Sequence, residues 1–290
     1  MQIEGIVTRE IESYDGTRIL YQKVGEGPVI VLANGLGGTF QAWYYLIEHL
    51  RKHYTVLSWD YRGLYGSGRP EMSRLTMADH ILDLRTILEA EGIDKILLAG
   101  WSMGTQFTYE YALQYPEQVV GLVPICGAAG APFETALYTS LSRYTMPALF
   151  RLQRRLHHIA SGLIKLSVKI PGGFDLITAS GLFWRGGSEV IRTLVDAYAE
   201  LDFEVYAQIM LNLGLHDARY QLHRITQPVL MIAATRDFFT PVPTAKKAAD
   251  TLPDAELHVV AGGTHYLPLE KPEVINELID GFIDRKVRWA

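Results

Sequence analysis

The runs Val29-Ile30-Val31-Leu32-Ala33 and Ile96-Leu97-Leu98-Ala99 carry no polar residue at alternate positions. A strand of that composition has no face to give to water, so it must lie inside a sheet covered on both sides. Between such runs come stretches with helical apolar spacing. Residues 41–52 put Trp43, Leu46, Ile47 and Leu50 on one face. Residues 76–91 put Ile81, Leu84, Ile87 and Leu88 on one side, with Thr76 placed to cap and Asp79 three residues on. Strands are predicted over 3–11, 18–24, 29–33, 54–59, 95–99, 119–125, 228–234 and 256–260, the first two joined at Asp15-Gly16. Further helices are predicted over 105–114, 244–251 and 272–287. The alternation predicts an α/β fold, a mostly parallel eight-stranded sheet with helices on both faces. Such sheets bind ligands beyond the C-terminal ends of their strands.

From Gly127 to about Gln227 the alternation stops, and the sequence reads as helices broken at Pro147, Pro171-Gly172-Gly173 and Gly186-Gly187. Strands resume afterwards. The simplest organisation is therefore a core of residues 1–127 and 228–290 with an inserted helical cap over 128–227. A chain of 290 residues suffices for one large domain with such an insertion. The net charge of −5 and the lack of a basic block argue against nucleic acid as a partner. The single cysteine, Cys126, excludes an intrachain disulfide, and its apolar surroundings predict a buried, inert thiol. The opening MQIEGIVTREIE carries charges where a signal peptide needs an apolar stretch. The uncharged stretch 118–133 is too short to span a bilayer and is broken by Pro124 and Pro132. A cytoplasmic protein is expected.

The strand ending at Ala99 runs into Gly100-Trp101-Ser102-Met103-Gly104 and then a helix. A strand that turns at once into a helix bends tightly, lifting the residue at the bend above the sheet edge. Residues two positions to either side must then lack Cβ atoms, or they collide with the adjoining strand and helix. The helix also aims its N-terminal N–H groups at that residue. These conditions describe a nucleophile elbow, G-x-S-x-G, with Ser102 as nucleophile. A serine hydroxyl needs a base, and the base an orienting acid. Of nine histidines, His49, His53, His80, His216 and His223 sit in helical or capping positions and read as surface residues. His157-His158 are adjacent and have no carboxylate at metal spacing, and His258 lies within a strand. His265 alone follows the last strand, in Gly262-Gly263-Thr264-His265, at the edge where the site should lie. Asp237, in the loop after the strand at 228–234, is the matching acid. Glu134 is the alternative, but it stands several residues beyond its strand. No metal and no cofactor is expected.

The oxyanion formed when an acyl carbon becomes tetrahedral needs N–H donors. The loop Asn34-Gly35-Leu36-Gly37-Gly38 offers the backbone N–H of Leu36, to act with that of Met103. A dinucleotide loop is the competing reading of Gly35-x-Gly37. It fails because position 40 is Phe40 and because Asp60 leads into another glycine-rich loop.

Taken together, NGLGG, DYRGLYGSGRP, GWSMG, TRDFFTP and GGTHYLPLEKP resemble the α/β-hydrolase fold superfamily over nearly the whole chain. The resemblance implies Ser102 as nucleophile, His265 as general base and then acid, and Asp237 as its orienting partner. It also implies an oxyanion hole from Leu36 and Met103, and a lid formed by the inserted helices. Three departures stand out. Asn34 replaces a frequent histidine, so the hydrogen bonding behind the oxyanion loop should differ. The loop after the fourth strand is one residue longer, with Leu64-Tyr65 before Gly66. Serine rather than aspartate at the elbow argues against dehalogenases and epoxide hydrolases.

The expected reaction is hydrolysis of carboxylic acyl esters, with a lipophilic acyl group, by a serine esterase or lipase-like enzyme. Carbon–carbon, lactone or amide hydrolysis and perhydrolysis use the same residues, and a receptor that keeps the triad without turnover is a further alternative. Residues 135–174 contain Arg143, Arg151, Arg154, Arg155, Lys165 and Lys169 but no Asp or Glu, interleaved with leucine and isoleucine. Two readings follow: an ordinary cap with a solvated outer face, or a basic cap that meets anionic lipid or an acidic carrier protein.

Overall fold

The computed structural model describes residues 3–169 and 189–289. The cap breaks expected at Pro171-Gly172-Gly173 and Gly186-Gly187 lie outside these residues. Eight strands form one sheet: β1 (Val7–Glu12), β2 (Arg18–Val24), β3 (Val29–Ala33), β4 (Thr55–Trp59), β5 (Ile96–Trp101), β6 (Val119–Ile125), β7 (Val229–Ala234) and β8 (Ala255–Val260). Their order is β1-β2-β4-β3-β5-β6-β7-β8. The pairs β1–β2 and β2–β4 are antiparallel and all the others parallel.

The apolar runs behave as their composition requires. Val31, Leu57 and Leu98 pack into one core with Leu84 and Phe107, whereas Ile30, Leu32, Val56 and Leu97 pack into another with Ile47 and Phe282. Successive side chains thus leave opposite faces of the sheet, and neither face meets water. The first core lies under α2 (Met77–Glu91) and α3 (Met103–Gln114), the second under α1 (Tyr44–Leu50) and α10 (Pro272–Lys286). Helix α2 starts on a capping box between Thr76 and Asp79 and ends on Gly92 in the left-handed region, φ 66°.

Between β6 and β7 the described residues form α4 (Ser142–Arg155), α5 (His157–Lys169), α6 (Glu189–Ala199) and α7 (Phe203–Leu213). Helix α4 continues through Pro147 where the sequence suggests a break. Proline costs it one backbone bond, but the stranded carbonyl of Arg143 lies on an exposed turn. After β7 come α8 (Val242–Ala249) and α9 (Leu267–Glu270). Among the described residues no helix is long and apolar enough to cross a membrane.

Two histidines depart from the expected surface role. His80 is fully buried against the Tyr61 ring, centroids 4.9 Å apart. Burial first, and then the Arg62 charge, pull its pKa down to about 3. Its place four residues before Leu84 puts it on the buried side of α2, a signal outweighed by its polar character. His216 is largely covered and its Nε2 lies 2.8 Å from Glu110 Oε1.

Candidate active site

Ser102 adopts φ 58° and ψ −114°, a conformation non-glycine residues avoid. Its neighbours hold it there. The Ser102 N–H donates to Ile125 O at 3.0 Å, and Thr105 N–H donates to Ser102 O at 3.0 Å. The flanking glycines meet the steric demand in full. A Cβ on Gly100 would stand 2.1 Å from Gly104 O in α3, and one on Gly104 would stand 2.0 Å from Ala33 O in β3. Strand β5 runs two residues beyond its expected end because Gly100 and Trp101 still pair with Pro124 and Ile125 of β6. Helix α3 then begins at Met103, with only Ser102 between strand and helix.

His265 lies beyond β8, in a loop held from both sides. The Trp101 indole N–H donates to His265 O at 2.6 Å, and Thr264 donates through N–H and Oγ1 to Glu270 at 2.8 and 2.7 Å. The Phe239 ring meets the imidazole edge-on at 5.0 Å. His265 Nε2 lies 2.8 Å from Ser102 Oγ, and Nδ1 lies 2.9 Å from Asp237 Oδ2.

Asp237 follows β7 and is completely buried. It accepts N–H bonds from Phe239 at 2.8 Å and Thr240 at 2.9 Å, and the Thr240 hydroxyl at 2.5 Å. Burial alone would raise its pKa. The charge of His265 and the hydrogen bonds from His265 and Thr240 outweigh that and hold it below the usual carboxylate value. An ionised carboxylate only accepts, so Nδ1 carries the proton and Nε2 turns its lone pair toward the serine hydroxyl. Glu134 stands apart, half-exposed and paired with Arg219 at 3.0 Å.

The loop after β3 passes against the elbow: a Cβ on Gly35 would be 3.3 Å from Ser102 Cβ. Leu36 lies in this loop. Met103 opens α3, so its N–H has no acceptor within its own helix. Asn34 braces the loop from behind. Its Nδ2 donates to Trp59 O at 2.9 Å, and its Oδ1 accepts from Trp43 Nε1 at 2.8 Å. The lengthened loop after β4 reaches the same place, for Tyr65, at φ 49°, donates its hydroxyl to Gly37 O at 2.5 Å. Above Gly37 lie Tyr198 of α6 and Leu201, 3.1 and 3.3 Å from where a Cβ would project.

Trp101, Thr240, Glu270 and Tyr65 escape sequence reasoning as site residues, although each lies within or beside a quoted motif. Cys126 is buried, and burial first, then the Asp237 charge, push its thiol well above the usual range. Among the described residues no group of three or more His, Cys, Asp or Glu side chains could hold a metal ion.

The chain is 28% identical to a protein of Azorhizobium caulinodans named putative carbamate hydrolase RutD, over 93% of this chain and 97% of that one. It is 27% identical to the protein of that name from Yersinia enterocolitica, covering 88% and 86% of the two chains. Two solved structures share the fold. An esterase from Exiguobacterium antarcticum matches with TM-score 0.81 at 20% identity, covering 96% of this chain and all of that one. A hydrolase from Pseudomonas aeruginosa matches with TM-score 0.78 at 21% identity, covering 95% and 98%. Residues 28–272 match the family described as alpha/beta hydrolase fold, a span that takes in the elbow, the buried aspartate and the loop histidine. The chain belongs to the alpha/beta hydrolase fold family, and it is a hydrolase.

Proposed function

We propose that this hydrolase cleaves carboxylic acyl esters through an acyl-enzyme on Ser102. The observation that carries the reading is the continuous chain from Ser102 Oγ through the His265 ring to Asp237, at 2.8 and 2.9 Å. In this mechanism His265 Nε2 takes the hydroxyl proton as Ser102 Oγ bonds to the acyl carbon. Asp237 holds the ring in the productive tautomer and stabilises the imidazolium. The N–H groups of Leu36 and Met103 receive the developing oxyanion, each contributing typically ~3 kcal/mol to lowering the barrier. His265 then returns the proton to the departing alkoxide, and the alcohol leaves. A water molecule, deprotonated in turn by His265, cleaves the acyl-enzyme, and the carboxylic acid and free serine result.

Residues 128–227 serve as the cap in this reading, with Tyr198 and Leu201 against Gly37 in support. The apolar character of that cover favours a lipophilic acyl group. A second reading is carbamate hydrolysis by the same residues. The two putative carbamate hydrolases favour it, because they align over nearly their whole length.

The test is stopped-flow turnover of p-nitrophenyl esters of increasing chain length beside a matched carbamate. One equivalent of nitrophenolate should appear in a burst, followed by steady release. Ser102→Ala should abolish both phases, with a rate loss of about 10³-fold or more. Full activity in that variant, or release that stops after the burst on every substrate, would overturn the reading. Faster turnover of the carbamate would move the assignment to the second reading.

A further inference from the structure

Helix α4 is fixed to the body by one side only. Phe150 is buried, stacked on Phe133 at 5.6 Å and meeting Tyr206 at 6.5 Å, with Met146 packed beside it. The opposite side is also apolar and faces outward. Leu141, at the N-cap, with Tyr144, Leu149, Leu152 and Leu156, at the C-cap, are all exposed, from 43% to 66%. Helix α5 extends the stripe with exposed Ile159, Leu163 and Leu166. Steps of three to five residues keep these side chains on one side of each helix. Lone exposed leucines are ordinary, but a continuous outward row along two helices is a surface awaiting a partner.

The row is bordered mainly by cations; one carboxylate, Glu204, lies among Arg151, Arg154 and Arg155 and is paired with Arg69 at 2.6 Å. Arg143, Arg151 and Arg155 are exposed, and among the described residues none pairs with a carboxylate. Arg154 donates to Gln208 and Lys165 pairs with Glu200 at 2.8 Å. Residues 135–174 contain no acidic residue. At its N-terminal end the row continues into the candidate site. Leu137 N–H donates to Phe238 O at 2.6 Å, and the Tyr138 ring meets that of Phe238, the exposed neighbour of Asp237.

We infer that α4 and α5 form a docking face for the surface of an anionic lipid bilayer. An outward apolar row between cations is the pattern of a helix lying in the plane of a membrane interface. There the leucines enter the acyl boundary and the arginines meet the headgroups. A second copy of the chain is disfavoured, since pairing two such faces would bring their arginines together. An acidic protein could answer the cations, but eight exposed apolar side chains spread along two helices suit the plane of a bilayer better, and such a partner would leave the vesicles unbound. The docked face would adjoin the loop of Asp237.

The experiment is co-sedimentation of the full chain with vesicles of phosphatidylcholine alone and of phosphatidylcholine with phosphatidylglycerol. Binding, not turnover, is read, so the outcome is independent of the reaction assigned to Ser102. Partition onto the anionic vesicles should be at least tenfold stronger and should weaken with added salt. The exposed triple variant Leu149→Ser, Leu152→Ser, Leu163→Ser should lose tenfold or more, with an unchanged circular dichroism spectrum and melting temperature. Arg143→Gln with Arg151→Gln and Arg155→Gln should remove the preference for anionic lipid. Equal partition onto both vesicle types, no partition, or binding that neither variant changes would overturn the inference. So would sedimentation as a dimer that the leucine variant dissociates, which would make the face a contact between copies.

Discussion

Asp237 stays ionised although fully buried because it takes N–H and O–H bonds from Phe239 and Thr240 on one side and the imidazole on the other. Asparagine there would keep the volume but could present an N–H to Nδ1 and select the wrong tautomer. Asp237→Asn is expected to lower kcat by about 10⁴ with KM nearly unchanged, measured by steady-state ester hydrolysis beside a thermal melt that confirms the fold. His80 shows the opposite economy, a titratable ring whose nitrogens meet no protein partner among the described residues. With its pKa about 3 when folded and 6.5 as its ordinary value, the unfolded chain takes a proton across that window that the folded chain refuses. The His80 contribution to stability therefore rises with pH from about 3 to 6.5 and is lost on acidification, by up to about 1.4 kcal/mol per pH unit. His80→Leu should flatten that slope in urea unfolding measured at several pH values. An unchanged slope would contradict the assignment. Asp60, raised by burial to about 6, contributes a slope of opposite sign, but it does so in both proteins and cancels in the comparison.

At the scale of the element, what the sequence makes legible is what neighbouring residues decide. The central strands β3 to β7 are readable because buried strands cannot alternate, β1 and β2 because a turn dipeptide joins them, and the elbow because its two glycines answer a local steric question. Gly104→Ala should therefore fail through backbone contact between α3 and β3. Its Cβ would lie 2.0 Å from Ala33 O, where no flexible side chain can yield. A loss of about 3 kcal/mol is expected in chemical denaturation. The outward row on α4 and α5 was legible only as a period, because spacing identifies an apolar side without saying whether protein covers it. His80 misleads for a related reason: its residue type argues for the surface while its position argues for the core. Trp101 and Tyr65 act across long separations, as in the indole bond from Trp101 to His265 O and the hydroxyl bond from Tyr65 to Gly37 O, and no local pattern announces those.

Across the whole molecule, the parallel strands β5, β7 and β8 carry the three side chains to one edge of the sheet, although 163 residues of chain separate Ser102 from His265. Each strand ends at that edge and hands its residue to a short, heavily bonded loop. The resemblance in the motifs and the family match over residues 28–272 agree with this architecture. The decisive measurement is active-site labelling with a fluorophosphonate, followed by intact-mass analysis and peptide mapping. The account predicts one phosphonyl group per chain, on the peptide bearing Ser102, formed rapidly in the native protein and lost in His265→Ala. Labelling of another residue, or no labelling of correctly folded protein, would contradict it.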